Sequence, residues 1–381
     1  MGYAENYLPK ALATLGHEVH LVTSNVQPYF NSSFYKTSYE PFIGQGIVPC
    51  EVKELNGYTL HRLPFGMWKG QLRIRGLLKT LVQLDPGIVQ TFVVPSLSTY
   101  EAALGKAFVR YKLFLESHVH ASVFPFARRT LAARERIRLA SEMMLGRLVS
   151  YLSEKCYPIS VDAAEIAVRF YGVQSHKVSV CPLGVDTDLF RPPIDKSSRN
   201  VRATLRKRLG FVPSDIVCIY TGRFSQEKDP LLLAEAIRIV RKRNKSFRGL
   251  FVGDGPQAET IRGIEGCVVN PFVTVGELPP FYSASDIGVW PRQESTSQLD
   301  AAACGLPIIL SNRVKAPERV QGNGLTYEEG DPRDLARQVN ALSDSSTRSH
   351  LGECGATKMR EYYSWYSIAK RRARDYEVSL R

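Results

Sequence analysis

The chain has 381 residues, of which 44% are hydrophobic and 23% are charged, a composition typical of a globular protein and not of a disordered, collagen-like or coiled-coil chain. The chain is longer than a domain with a single hydrophobic core usually is, so two domains are expected. No run of about 18 apolar residues predicts a membrane-spanning helix. The formal net charge of +13 indicates a polyanionic partner, such as nucleic acid, an anionic membrane face or a phosphorylated substrate.

The seven cysteines occur singly, without a CxxC pair, and their number is odd. This pattern favours a reducing compartment over a disulfide framework or a zinc site. The first residues, MGYAENYLPKALA, mix acidic and basic side chains and are not typical of a secretory signal. A cytoplasmic location is therefore expected.

Strands and helices alternate along the first half of the chain. The apolar positions of segment 3–15 share one helix face, and Gly16 ends that helix. Asn56 and Gly57 separate two alternating segments, a pattern that predicts a β-hairpin. The other predicted elements are strands at 19–23, 88–93, 111–115 and 178–182, and helices at 71–84, 96–108 and 127–153.

The second half repeats the alternation after a segment rich in Pro, Ser and charge at 191–200, which is interpreted as a linker. Strands are predicted at 216–222, 249–253, 268–273, 287–291 and 307–311, where the series closes, and helices at 230–243, from 257, at 277–284, 296–304 and 363–378. Strands alternating with helices predict an α/β fold with two Rossmann-like, doubly wound domains that face each other across a cleft.

A cationic segment follows the strand at 216–222. It reads Gly222-Arg223-Phe224-Ser225-Gln226-Glu227-Lys228 and directly precedes a helix. A guanidinium fork, an ammonium and a helix N-terminus together suit a dianionic phosphate group. The plain alternative is a loop with two surface cations.

Two further loops carry polar residues after predicted strands. Asp254 and Gly255 belong to a Val-Gly-Asp-Gly-Pro turn, where glycine permits close approach of a ligand to the backbone. Glu294 follows the strand at 287–291, and Asp300 lies in the first turns of the next helix. Two acids beside a phosphate-binding loop suit a polyhydroxylated ligand, although acids in a first helical turn also match the helix dipole.

Taken together, these segments resemble the family 4 glycosyltransferases of the GT-B fold. The resemblance rests on GR(x)₄K, VGDGP and the stretch from Glu294 to AAACGLP, and extends to GHEVHLVTS at 16–24, KVSVCPLGVDTDLFRP at 177–192 and FYSASDIGVWP at 281–291. It implies an acceptor-side domain of residues 1–190 plus 363–381, which includes a terminal helix that crosses back, and a donor-binding domain of residues 191–362.

The resemblance also implies an activity. A sugar would pass from a nucleoside-diphosphate sugar to a glycan or lipid-linked acceptor, with retention at the anomeric carbon and without a metal or other cofactor. Arg223 and Lys228 would hold the diphosphate, Glu294 would face the sugar hydroxyls and Asp300 the ribose. Ser295, Thr296 and Ser297 would offer backbone N–H groups to phosphate. The setting implied is synthesis of cell-surface polysaccharide or lipopolysaccharide.

Three more positions are implied by the resemblance. His118 follows the strand at 111–115 and would contact the donor sugar or the acceptor, with His120 as the second choice. A buried histidine bonded to backbone is the alternative for either. Gly184, in Pro-Leu-Gly-Val-Asp, would lie near the cleft, or is simply a turn glycine.

Two features depart from the family pattern. The first helix is expected to follow a strand and a glycine-rich loop, of which only Gly2 could remain, so the first sheet is expected to lack a central strand. An upstream start and a shortened, inactive product are both open explanations. In addition, five residues separate Glu294 from Asp300 where the family has seven between two glutamates, and the deletion is placed in the loop after Glu294.

The segment 128–152 contains six arginines and two glutamates among apolar residues. It predicts either peripheral contact with an anionic membrane, such as the inner face of the plasma membrane, or a solvated helix face. The sequence has features in common with three other function classes. A nucleic-acid-binding protein is disfavoured because the basic residues are dispersed and form no binding motif; a non-catalytic nucleotide- or sugar-binding protein and an NDP-sugar epimerase stay open.

Overall fold

The computed structural model describes residues 4–32, 35–68, 70–121, 124, 133–193 and 196–381. The chain forms two compact units. The C-terminal unit comprises Leu183–Ser367, and the N-terminal unit comprises the described residues before it together with Ile368–Arg381. The terminal helix therefore starts in one unit and ends in the other.

The N-terminal unit alternates short helices and strands before residue 182. Its helices are α1 (Ala4–Thr14), α2 (Tyr35–Ser38), α3 (Glu40–Ile43), α4 (Leu77–Leu84), α5 (Leu97–Gly105), α6 (Ala133–Leu152) and α7 (Val161–Arg169). Its strands are β1 (His20–Ser24), β2 (Glu51–Leu55), β3 (Tyr58–Leu63), β4 (Phe65–Trp68), β5 (Gln71–Ile74), β6 (Ile88–Thr91), β7 (Lys112–Ser117) and β8 (Lys155–Pro158).

These strands form two three-stranded sheets and one hairpin. The first sheet has the order β1-β3-β2, the second is the parallel sheet β6-β7-β8, and β4 pairs antiparallel with β5. Val22 of β1 and Val89 of β6 pack against the same apolar cluster of Ile74, Leu77 and Leu81. Within the described residues β1 and β6 are both edge strands.

The C-terminal unit contains one larger sheet covered by helices. Its strands are β9 (Ile216–Thr221), β10 (Phe247–Val252), β11 (Cys267–Asn270), β12 (Ile287–Trp290), β13 (Ile308–Ser311) and β14 (Gly324–Tyr327). Its helices are α8 (Lys196–Arg208), α9 (Pro230–Arg241), α10 (Ala258–Arg262), α11 (Pro279–Ser283), α12 (Ser297–Ala303), α13 (Pro332–Ala341), α14 (Ser345–Lys358) and the start of α15 (Trp365–Leu380).

The order of the C-terminal sheet is β11-β10-β9-β12-β13-β14, and every pair in it is parallel. Its central strands are apolar and buried on both faces, as parallel sheets between helix layers require. From β9 the chain adds β10 and β11 on one side of the sheet, and then β12, β13 and β14 on the other side. This reversal makes the carboxyl ends of β9 and β12 the switch point at which such sheets bind ligands.

The alternation and the hairpin at Asn56 and Gly57 are confirmed, but four predicted elements are wrong in part. The helix at 71–84 begins only at Leu77, because 71–74 alternates and pairs with β4. Segment 178–182 makes only an isolated bridge to β8. Residues 196–200 of the expected linker start α8, whose arginines bind Asp286 directly before β12. The sheet also continues beyond β13, because β14 pairs with it.

Candidate functional site

Two loops leave the switch point of the C-terminal sheet. Segment 222–228 follows β9, and segment 291–296 follows the neighbouring strand β12. Since both strands are parallel, both loops emerge at the same edge of the sheet. The two motifs singled out in the sequence are thus brought together within one unit.

Lys228 joins the two loops. Its ammonium donates a hydrogen bond of 2.8 Å to the main-chain carbonyl of Glu294. Burial, opposed by the negative charge of Glu294 and reinforced by the positive charges of Arg223 and Arg319, lowers the pKa of Lys228 to about 8. Glu294 compensates only part of the positive charge that Lys228, Arg223 and Arg319 bring to these loops. This arrangement is suited to a polyanion.

Arg223 is exposed at the start of the first loop. The Tyr220 hydroxyl donates to the Arg223 carbonyl at 2.9 Å, and the next amide, that of Phe224, donates to the Asp254 carbonyl at 2.8 Å. These two bonds fix the backbone on either side of the guanidinium. The Arg223 side chain therefore projects from a held loop and is accessible to a ligand.

The turn after β10 packs directly on the loop after β9. A Cβ at Gly253 would overlap the Gly222 carbonyl, and one at Gly255 would lie 2.7 Å from the Phe224 carbonyl oxygen. Both glycines also have φ near +148°, which other residues rarely adopt. Asp254 is exposed between them, and its carboxylate accepts from the Gly255 amide at 2.7 Å. Gly222, Asp254 and Gly255 thus lie beside Arg223.

Glu294 is held at both its backbone and its side chain. While its carbonyl binds Lys228, its carboxylate accepts the Lys315 amide at 2.6 Å. The preceding residue, Gln293, has a φ of 56°, and its carbonyl accepts from the Gln298 side chain. A left-handed backbone conformation at Gln293 thus precedes Glu294, whose carboxylate reaches the loop after β13. Contact of Glu294 with sugar hydroxyls stays a prediction.

Asp300 is buried in α12. Burial and, to a smaller extent, the negative charge of Asp186 raise the pKa of its carboxyl to about 8. At neutral pH this group is mostly protonated, so it is a hydrogen-bond donor as well as an acceptor. Its expected role toward ribose needs no ionised carboxylate.

The remaining donor-side positions are explained in part by local structure. Ser295, Thr296 and Ser297 lie at the start of α12, and the Ser297 amide donates to the Ser295 hydroxyl at 3.4 Å. A Cβ at Gly184 would lie 2.6 Å from the Trp365 ring, so packing alone demands glycine there. Gly2 lies outside the described residues.

Arg319 is a site residue that the sequence reasoning missed. It is 2% exposed, and its guanidinium donates to the Ser295 carbonyl at 3.3 Å and to the Gln298 side chain at 3.1 Å. It lies after β13, in the loop that also supplies the Lys315 amide. The rule that ligands bind at the carboxyl ends of all central strands would have directed attention to segment 312–319.

The two candidate histidines lie after β7 in the N-terminal unit. His118 is within 2.5 Å of the Glu116 carboxylate, and burial lowers its pKa. His120 contacts Asp162 at 3.4 Å and the Ser160 hydroxyl at 3.3 Å. Since Asp162 also accepts the Ala121 amide at 2.7 Å, this second group organises the chain between β7 and α7.

Two family profiles match this chain. Residues 7–189 match the profile described as Glycosyltransferase Family 4, and residues 215–345 match the one described as Glycosyl transferases group 1. Together they span most of the sequence. The chain therefore belongs to the glycosyltransferases of the family 4 type with the GT-B fold.

Curated relatives match over part of their length. The spore coat protein SA of Bacillus subtilis is 26% identical over 56% of this chain and 61% of its own. A GDP-mannose-dependent alpha-(1-6)-phosphatidylinositol monomannoside mannosyltransferase of Mycobacterium tuberculosis is 31% identical over 50% of this chain and 54% of its own. The chain thus spans about half the length of the curated relatives it matches.

Solved structures share the fold over the whole chain. A glycosyltransferase of Rickettsia africae aligns with a TM-score of 0.70 and 14% identity, covering 100% of this chain and 96% of its own. Anabaena HepE in complex with UDP aligns with a TM-score of 0.69 and 15% identity, covering 99% and 98%. At such identities the likeness establishes the fold alone.

Proposed function

We propose that the protein is a retaining glycosyltransferase that moves a sugar from a nucleoside-diphosphate sugar to a glycan or lipid-linked acceptor in the synthesis of cell-surface polysaccharide or lipopolysaccharide. The observation that carries this proposal is the partly buried Lys228 ammonium, which bonds to the Glu294 carbonyl at the switch point of the C-terminal sheet and whose pKa the positive charges of Arg223 and Arg319 lower. Family membership and the donor named in the mannosyltransferase relative support it.

The chemistry follows from these charges. When the bond from the anomeric carbon to the diphosphate breaks, negative charge grows on the departing nucleotide. Arg223 and Lys228 hold the diphosphate and stabilise that charge in the transition state. Arg319, bound to the Ser295 carbonyl, keeps the loop after β12 in place and adds positive potential. Glu294 and His118 contact the sugar or acceptor.

The donor site is proposed to work without a metal. Three cationic side chains supply the charge that a divalent ion provides in other nucleotide sites. A nucleoside diphosphate is expected to bind equally well with and without EDTA. Binding that requires added magnesium or manganese would refute this part of the proposal.

Nucleotide binding is the first test. UDP, GDP and ADP are compared by thermal shift, because a ligand that binds only the native state raises its melting temperature. The nucleotide that binds identifies the donor series for transfer assays. Lys228→Ala is expected to abolish transfer and lower nucleotide affinity, while the exposed Lys242 on the same unit, changed to Ala, serves as the control.

The outcomes separate the alternatives. Full transfer by Lys228→Ala would refute the assigned role. Nucleotide binding with no transfer to any acceptor would instead support a non-catalytic binding protein. Conversion of the donor sugar without an acceptor would support an epimerase.

We propose further that α6 lies on an anionic membrane surface. Four side chains at helical spacing form an exposed apolar face: Ile137 is 71% exposed, Met144 72%, Leu148 57% and Tyr151 72%. The exposed arginines at 138 and 147 border this face. An apolar face flanked by arginine suits an interface of acyl chains and anionic headgroups. Residues 128–132 of the predicted segment lie outside the described residues.

Vesicle flotation tests this surface. The protein is expected to float with vesicles that contain acidic phospholipid and not with neutral ones, and Met144→Ser with Leu148→Ser is expected to abolish flotation. Val161→Ser is the matched control, since Val161 is equally exposed on α7. Equal recovery with both vesicle types, or no effect of the double change, would refute the contact. No helix among the described residues is both long and apolar enough to cross a bilayer.

A further inference from the structure

Glu116 is a buried carboxylate directly beside His118. It lies on β7, the central strand of the sheet β6-β7-β8, and its side chain is 0% exposed. One carboxylate oxygen lies 2.5 Å from Nε2 of His118. A fully buried carboxylate is costly unless its charge is compensated, so its other partners matter.

The terminal helix α15 supplies that compensation. Arg372, which is 1% exposed, forms an ion pair with the other Glu116 oxygen, and the Gln90 side chain donates to the same oxygen at 2.5 Å. Tyr376, one turn later on α15, donates to the side-chain oxygen of Gln90. The Arg372 guanidinium also lies over the Tyr157 ring, 4.8 Å from its centroid. The carboxylate charge is thus balanced without a charge on His118.

The protonation of His118 follows from these contacts. Burial lowers its pKa, so the ring is neutral at pH 7. The ionised Glu116 can only accept, so the proton of the neutral ring must lie on Nε2. Nδ1 then carries a lone pair. In His120 the other ring nitrogen makes the side-chain contacts, because its Nδ1 lies beside the Asp162 carboxylate and the Ser160 hydroxyl.

We propose that Glu116, held by Arg372, is a positioning residue that fixes His118 as the Nε2–H tautomer, so that Nδ1 accepts a hydrogen bond from a hydroxyl of the bound sugar. This inference rests on the proposed contact of His118 with sugar. It specifies that His118 accepts a hydrogen bond from the sugar and does not donate one. It also assigns α15 a task at the site in addition to packing.

The tautomer can be measured without any activity assay. The protein is labelled with ¹³C and ¹⁵N at its seven histidines, and the signals of residue 118 are those lost in His118→Gln. A neutral Nε2–H ring at pH 7 is expected. A neutral Nδ1–H ring or an imidazolium at that pH would overturn the proposal, whatever the enzyme transfers.

Paired substitutions test the use of Nδ1 in transfer. The side-chain oxygen of Asn can take the place of Nδ1, whereas the side chain of Gln reaches the place of Nε2. His118→Asn is therefore expected to retain more transfer than His118→Gln, by about tenfold, the worth of one hydrogen bond. Equal or greater transfer by the Gln variant would overturn the proposal.

Glu116→Gln tests the positioning role itself. It is expected to lower kcat and to change the ring tautomer in the NMR spectrum. Asp375→Asn is the matched control, because Asp375 binds Lys155 and Tyr157 from the same helix without touching Glu116. A tautomer unchanged by Glu116→Gln, or changed equally by Asp375→Asn, would overturn the role. If no variant and no wild-type protein transfers sugar, the proposed function fails while the spectrum still decides this inference.

Discussion

The pH dependence of nucleotide binding should depend on one ammonium group. Burial and two neighbouring guanidinium groups lower the pKa of Lys228 to about 8. A diphosphate binds the charged form, so affinity should fall as the pH rises through that value. Lys228→Arg is the informative perturbation, because a guanidinium stays charged throughout this range.

The magnitude follows from the pKa. With a pKa of about 8, about nine tenths of Lys228 is charged at pH 7 and about one tenth at pH 9. The dissociation constant of the nucleoside diphosphate should therefore be about tenfold greater at pH 9 than at pH 7, which corresponds to about 1.4 kcal/mol of binding free energy. In the Arg variant this part of the pH dependence should vanish.

Isothermal titration calorimetry at constant ionic strength provides the assay. Ionisation of the nucleotide itself affects wild type and variant alike, so the ratio of their dissociation constants isolates Lys228. A ratio that stays constant from pH 7 to pH 9 would show that the charge on Lys228 does not control nucleotide affinity. The same comparison with the weaker-binding nucleotides gives an internal check.

Three further predictions concern stability and ions. Because burial raises the pKa of Asp300 to about 8, its stabilising contribution is complete below about pH 4 and is lost as the pH rises toward 8. The free energy of unfolding, measured with urea, should therefore fall more between pH 5 and pH 8 in wild type than in Asp300→Asn. Equal decreases in the two proteins would contradict this. Gly253→Ala should cost about 1–3 kcal/mol of unfolding free energy, measured against Gly276→Ala, whose added Cβ meets no atom within 4 Å. EDTA should leave the dissociation constant of the nucleotide unchanged, and a loss of affinity would point to a metal.

The fold could be predicted where local pattern and tertiary structure agree. The structure contains the predicted strands of the C-terminal unit, the hairpin at Asn56 and Gly57 and the glycine-rich turn after β10. The start of the helix expected at 71–84 could not be predicted, because residues 71–74 pair with β4 as a strand and do not join the helix. Likewise, α8 begins within the linker-like segment at residue 196 because its arginines bind Asp286.

The site was predictable only where the motif residues are close in sequence. Arg223 and Lys228 lie five positions apart on one loop, so their proximity could be inferred. The loop that holds Arg319 could be located at the carboxyl end of β13, but nothing local to 317–319 indicates that the Arg319 guanidinium reaches Ser295. The pairing of Glu116 with Arg372 joins positions 256 residues apart, and only the docking of α15 brings them together.

The direct test of the diphosphate site is a crystal structure of the protein with the nucleoside diphosphate that raises its melting temperature most. Phosphate oxygens are expected within hydrogen-bond distance of the Lys228 ammonium and the Arg223 guanidinium, with the Lys228 bond to the Glu294 carbonyl retained or exchanged for phosphate. A nucleotide bound away from the ends of β9 and β12, with both cations facing solvent, would contradict it.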